Sequence, residues 1–262
     1  MHTERMSAEQ QFDRATAFLA GFARRQAAVC KDFEGGFAVR DPAYAGSHEH
    51  NQLVVDGTPD PADLTAHADA LLDGLGHRRI LVLSEAHGEA CAGPLTAAGY
   101  AYGTEVVMIH QGPRPEPVRA AEELTLDEVR PALTRQTRVW MPHQAEETVR
   151  HLVDRRTARL RGADEVVLLG VRDEPGGEVA SWADLYRDLG HDHVAQFEDL
   201  VTADEYTRRG YADAVLATAL HRASAADLFF LLAEPDDWPR HWYARRGFVP
   251  VGRVHVFTRY RV

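Results

Sequence analysis

The 262-residue sequence predicts a mixed α/β (α+β) fold in two lobes, each a mixed central sheet flanked by helices. Three observations predict it. The second half alternates strand and helix patterns, the first half repeats part of that order, and a proline-rich segment separates the two. That segment, residues 111–123, reads "QGPRPEPVRAAEE", with three prolines and a glycine set among charges. Such a composition resists both helix and sheet. The predicted organisation is a lobe over 1–110, a linker over 111–123 and a second lobe over 124–262.

The elements of the second lobe follow in order. "LTLDEV" is a short strand candidate, and "VRPALTRQTRVWMPHQAEETVRHLVDRRTARL" is helical, with Pro142 marking a break. Two apolar strands flank Pro175-Gly176-Gly177, the signature of a β-hairpin. "HVAQFEDLVT" is another strand, and "TRRGYADAVLATAL" enters an alanine- and leucine-rich helix. The unbroken apolar run "ADLFFLLAEP" fits a central strand buried on both faces. "WPRHWYARRGF" is a short helix closed by Gly247, and "VPVGRVHVFTRY" is the last strand.

The first half echoes this. "HADALLDGLGHRRILVLSEA" resembles "YADAVLATALHRASAADLFFLLAEP" at an offset of 144 residues, and Gly99 matches Gly247 at an offset of 148. "NQLVVDG" stands where "EDLVTAD" stands in the second half. The halves differ at one place: "EYTRRGYAD" is replaced by "TPDPADLTAHAD", so prolines and aspartates stand where the second half has arginines and a glycine.

Composition narrows the function. The net charge of −11 and the absence of a basic stripe argue against a nucleic-acid partner. No apolar run is long enough for a transmembrane helix, and the first residues lack a signal-peptide pattern, so a cytoplasmic protein with no membrane partner is expected. Cys30 and Cys91 lie far apart and outside any CxxC spacing. The histidines of "SHEHN" and "HDH" have no third ligand at a metal-site spacing, so no metal is expected.

The chemistry is concentrated in "VTADEYTRRGYADAVL". A strand runs into a loop with Arg208, Arg209 and Gly210, and a helix begins at once. A helix N-terminus carries N–H groups without intrahelical partners and a partial positive charge, so it receives anions. Gly210 and the small Ala212 let a ligand approach the backbone closely. The alternative is an ordinary turn with solvated arginines. Neither the Walker spacing nor G-x-G-x-x-G is present.

The stretch resembles motif A of the GNAT N-acetyltransferase superfamily, Gln/Arg-x-x-Gly-x-Gly/Ala after a strand. Gly210 and Ala212 match its last two defined positions, and Thr207 departs from the first. "WYARRGF" resembles the superfamily's Tyr-x-x-x-Gly-Phe, and the matched motifs span residues 198–259. The resemblance implies two GNAT-like lobes, the first degenerate. It implies acetyl-CoA as cosubstrate, its pyrophosphate held by amides of Arg208, Arg209, Gly210, Tyr211, Ala212 and Asp213. The thioester would lie between the strand ending near Thr202 and the next one, with backbone N–H groups of Leu200, Val201 and Thr202 on the acetyl carbonyl. Tyr243 would protonate the departing thiolate.

Several superfamily members have a glutamate where Gln196 stands, and an amide is no base. On a regular strand Gln196, Glu198 and Leu200 share a face, with Asp199 opposite. Glu198 is therefore the expected base, with His193 a more distant candidate. Trp140 and His143 fall where the superfamily bounds its acceptor groove. The expected activity is transfer of an acetyl group to a primary amine on a small molecule or peptide, with a homodimer as one possible assembly. The rivals are a non-catalytic acyl-CoA-binding or regulatory protein and an interaction protein with acidic lobes.

Overall fold

The structure, a computed structural model, describes residues 6–114, 116–190 and 193–260. The chain runs α1 (Ala8–Gln26), β1 (Val29–Phe33), β2 (Gly36–Arg40), β3 (Gln52–Val55), α2 (Pro61–Leu71), β4 (His77–Val82), α3 (Glu85–Ala97) and β5 (Ala101–His110). It continues through β6 (Glu122–Leu124), α4 (Leu126–Trp140), α5 (Glu146–Asp154), α6 (Arg156–Arg159), β7 (Glu165–Arg172) and β8 (Val179–Asp188). The last elements are β9 (Val194–Thr202), α7 (Tyr211–Arg222), β10 (Leu228–Ala233), α8 (Trp238–Ala244) and β11 (Phe248–Tyr260).

Local sequence explains most of these boundaries. Thr125 caps α4 in a reciprocal box with Glu128, which turns most of the expected "LTLDEV" strand into the first helical turn and leaves only Glu122–Leu124 as β6. The segment after α4 contains Pro142 and re-enters helix at Glu146. Gly176, at φ 75°, closes the β7–β8 hairpin. Among the described residues no helix is long and apolar enough to cross a membrane.

The eleven strands of the described residues join one mixed sheet, in the order β1-β2-β3-β4-β11-β5-β10-β9-β8-β7-β6. Two pairs are parallel, β3 with β4 and β9 with β10; every other pair is antiparallel. Each parallel pair follows the order strand, helix, strand, helix, strand, and the closing strands cross over. β5, the last strand of the first half, lies against β10 of the second. β11, the last strand of the second half, lies against β4 of the first. β5 and β11 pair with each other along ten positions at the centre. The segment 111–123 therefore separates the halves along the chain but not across the sheet. Pattern alone could not choose between the two arrangements, because β5 and β11 present similar alternating faces to either neighbour.

Four apolar clusters fill the layers between sheet and helices. One joins α7 and α8 to β7–β10, and one joins α2 and α3 to β3 and β4. A third seats α1 on strands of both halves, Phe18 against Phe230 and Phe22 against Tyr186. The fourth packs α4 on β8 around Trp182.

Candidate functional site

β9 and β10 pair only over Val194–Gln196 and Leu228–Phe230. Beyond Gln196 the backbone of β9 has no strand partner on its β10 side, and the two strands part as a wedge. At the mouth of the wedge lies a cleft of about 530 Å3 lined by Leu200, Thr202, Thr207, Arg208 and Gly210, the first turn of α7, Trp238, Trp242 and Tyr243.

The α7 end of this cleft presents an uncapped helix N-terminus. Gly210 is the N-cap, at φ 79°, and offers no side-chain acceptor to the helix. The first intrahelical bond runs from the Ala214 N–H to the Gly210 carbonyl, so the N–H groups of Tyr211, Ala212 and Asp213 have no helical acceptor. A Cβ on Gly210 would meet no atom within 4 Å beyond its chain neighbours. That space is open to a ligand. Arg208, also left-handed at φ 61°, and Arg209 stay exposed beside it.

The first half lacks both features. α2 is capped by the Asp60 carboxylate, 2.9 Å from the Ala62 N–H, with Pro61 at its first position and Asp63 in its first turn. β3 stays paired with β4 from Leu53 to Val55, and the Leu83 N–H extends the ladder to the Val55 carbonyl. No wedge opens there. At the offset that aligns Gly99 with Gly247, the buried Leu95 stands where Tyr243 stands.

Tyr243 is buried, with its ring edge-on to Trp242 and Phe248. Burial raises its hydroxyl pKa, and the nearby Glu198 and Asp199 raise it further. It stays protonated at neutral pH.

The expected regular strand through Glu198 is not found. The β8–β9 register pairs Asp184 with Glu198 and then Trp182 with Val201, so Asp199 and Leu200 bulge opposite Ala183. Asp199 takes φ 53°. The bulge brings Glu198 and Asp199 to one cavity of about 370 Å3 and turns Leu200 to the cleft by α7. Gln196 lies in the same cavity wall and donates from Nε2 to Glu198 Oε2 at 2.5 Å. Burial, followed by the charge of Asp199, pushes the Glu198 carboxyl well above the usual carboxylate range.

Asp199 is held by cations that pattern reading missed. Arg156 and Arg159, on α6, are almost wholly buried. Both donate to Asp184, at 3.1 and 2.8 Å, and to Asp199, at 2.9 and 2.6 Å. Arg159 also reaches Glu49 at 2.9 Å and Arg155 reaches it at 3.1 Å, tying a first-half loop to the second half. The spacing "RRTAR" places these arginines on adjacent helical positions, but their carboxylate partners lie far away in sequence. Burial would raise the Asp199 carboxyl, yet Arg159, Arg156 and Arg155 outweigh it and hold it at about 2.

That low value makes an acid-stability prediction. A depressed carboxyl stabilises the fold above its unfolded pKa, about 3.9, and loses that contribution as pH falls toward 2. The contribution is on the order of 2–3 kcal/mol. Asp199→Asn should therefore lower the urea midpoint at pH 7, with a loss of roughly 3–5 kcal/mol from stranding buried arginines. The variant's stability should also fall less than the wild type's between pH 4 and pH 3.

Other expected residues are placed as follows. Val201 faces away from the cleft, toward α4, because side chains alternate along the strand. Arg209 lies over the Tyr206 ring rather than in the cleft wall. Trp140, 61% exposed, borders a third cavity of about 660 Å3 that shares Glu49, Arg79 and Asp199 with the 370 Å3 one. His143 is exposed in the turn after α4 and lines none of these cavities. His193 sits just ahead of β9, its carbonyl accepting from the Asp227 N–H. His48 stacks on His77 and His50 bonds Ser47, so the "SHEHN" histidines turn to different partners. His191 and Asp192 of "HDH" lie outside the described residues. Among those described, no three His, Cys, Asp or Glu side chains are grouped to hold a metal.

Residues 126–248 match the family model described as acetyltransferase (GNAT) family. This part of the chain is therefore similar to the acetyltransferase domains of the GNAT family. No curated protein matches it in sequence. Similar solved structures share the fold along nearly the whole chain. A functionally unknown conserved protein from Staphylococcus epidermidis superposes with a TM-score of 0.65 at 10% identity, over 88% of this chain and 93% of its own. A GNAT-family protein from Novosphingobium aromaticivorans gives 0.61 at 18% identity, over 96% and 99%. A GCN5-related N-acetyltransferase from Kribbella flavida gives 0.61 at 15%, over 94% of each chain.

Proposed function

We propose that the protein is an acetyl-CoA-dependent N-acetyltransferase that acetylates a primary amine by direct attack, using the second of two GNAT-like lobes. The observation that carries this reading is a convergence at one cleft: the uncapped α7 N-terminus, the β9–β10 wedge and the Tyr243 side chain. The α7 N–H groups receive the pyrophosphate, and the wedge admits the pantetheine arm. The first lobe, with α2 capped by its own aspartate and β3–β4 closed, takes no CoA.

In the reaction the amine nitrogen attacks the thioester carbonyl, a C–N bond forms and the C–S bond breaks. Glu198 accepts the amine proton directly or through a water; its raised pKa makes it a stronger base than an exposed carboxylate. The Tyr243 hydroxyl gives its proton to the departing sulfur. Backbone N–H groups along β9 at 200–202 stabilise the developing oxyanion.

Two measurements test this. Release of the free CoA thiol should require both acetyl-CoA and an amine. Saturable acetyl-CoA binding with no thiol release on a broad amine panel would leave a non-catalytic acyl-CoA-binding protein. The pH profile is the second. A carboxyl raised by burial must be deprotonated to act, so kcat/KM should rise with pH through an acid limb above the ordinary glutamate range. Glu198→Gln should remove that limb and lower kcat by about 100-fold or more.

A further inference from the structure

The cavity of about 370 Å3 lies under α1, beside the residues proposed above to handle the amine. Leu19, Phe22, Leu81 and Leu232 form its apolar wall. Its charged wall is out of balance. Arg155, Arg156 and Arg159 are matched by Asp184, Asp199 and Glu49, a set neutral in itself. Glu105, Glu198 and Glu234 remain, with Arg79 as the remaining cation of the lining. Arg79 donates from Nε to Gln52 and lies 3.8 Å from Glu105.

The β10–β5 register ends with Ala233 opposite Val106, so Glu234, just past β10, lies near Glu105 in the same cavity wall. Like charges held close together repel unless a cation lies between them. Burial raises the Glu105 carboxyl pKa; Arg79 lowers it, while Glu49, Glu234 and Asp199 raise it. A second, independent observation points to a bound donor. Gln196 is 3% exposed, its Nε2 is committed to Glu198, and its Oε1 has no partner among the described residues. Its side chain lies in the cavity wall with Tyr186 and Glu198.

We propose that the acceptor is a short aliphatic diamine, with the reacting amine at Gln196 Oε1 and Glu198, the second ammonium between Glu105 and Glu234, and the methylene chain along Leu19, Phe22 and Leu232. The proposal rests on the N-acetyltransferase reading. One ammonium gives its proton to Glu198 and attacks as the neutral amine; the other stays charged and serves only to bind. A monoamine of equal length makes the first set of contacts and lacks the second.

The test is calorimetric titration of 1,4-diaminobutane and n-butylamine into the full chain, with and without saturating CoA, which cannot turn over. The diamine should bind at least tenfold more tightly than the monoamine. Glu234→Gln, at an exposed position just past β10, should shrink that ratio, and Glu105→Gln/Glu234→Gln should bring it close to one. Equal affinity for the two amines, no binding of either, or an unchanged ratio in Glu234→Gln overturns the proposal. A parallel titration with CoA separates the two readings. CoA binding without diamine preference removes only the acceptor assignment. Diamine preference without CoA binding removes the acetyltransferase reading and leaves the cation site.

Discussion

Gly210→Glu should abolish acetyl-CoA binding, with Kd rising at least 100-fold in calorimetric titration, while the wild type binds about one equivalent per chain. Two effects add. Gly210 holds φ 79°, a left-handed conformation that costs an ordinary L-residue about 1–2 kcal/mol. The larger effect is electrostatic and steric. The new side chain would project into space that holds no atom within 4 Å apart from its chain neighbours, beside the free N–H groups of α7, and would set a carboxylate where the proposed pyrophosphate would dock. Gly210→Asn separates the two, since asparagine tolerates the left-handed region and carries no charge. It should fold normally and weaken binding far less. Two equivalents bound by the wild type would mean that the first lobe also takes CoA, despite the Asp60 cap on α2. No binding at all would reduce "TRRGYAD" to a turn with solvated arginines.

Tyr243→Phe should lower kcat by about 100- to 10,000-fold, the range for loss of a general acid, with little change in acetyl-CoA affinity. The ring packs against Trp242 and Phe248, and phenylalanine preserves that packing, so the loss isolates the hydroxyl. Because burial and two neighbouring carboxylates raise its pKa, Tyr243 is protonated at neutral pH, as a proton donor must be. A solvent isotope effect on kcat in the wild type, absent from the variant's slower reaction, would check that a proton moves in the same step. An unchanged kcat would make Tyr243 a wall of the cleft and leave water to protonate the thiolate.

Much of the cleft was legible in sequence because its chemistry is local. A strand, a glycine at a helix entrance and a short helix ending at a left-handed glycine are contiguous features, and Gly210 and Gly247 both take the positive φ that glycine favours. The region around Glu198 was less legible. Alternation along β9 predicted Glu198 on a face with Leu200, but the bulge at Asp199 reversed Leu200 and added Asp199 to the cavity. Nothing within "AQFEDLVT" announces a bulge; the register of β8 across the hairpin produces it. Trp140 and His143, chosen by position alone, were divided by where α4 ends.

By itself the sequence determined most of the strands and helices of the second half, though not the start of α4, together with the uncapped entrance to α7 and the capped entrance to α2, because caps and turns depend on residues a few positions apart. It also carried the stretches that resemble the GNAT motifs. Only the tertiary structure decided that β5 and β11 cross between the halves to make one eleven-stranded sheet, that Arg155, Arg156 and Arg159 meet carboxylates from three distant segments, and that Glu105 and Glu234 share a cavity wall with Gln196 and Glu198. Each depends on which backbone edges and charges meet across many tens of residues, and a one-dimensional pattern does not specify the partner.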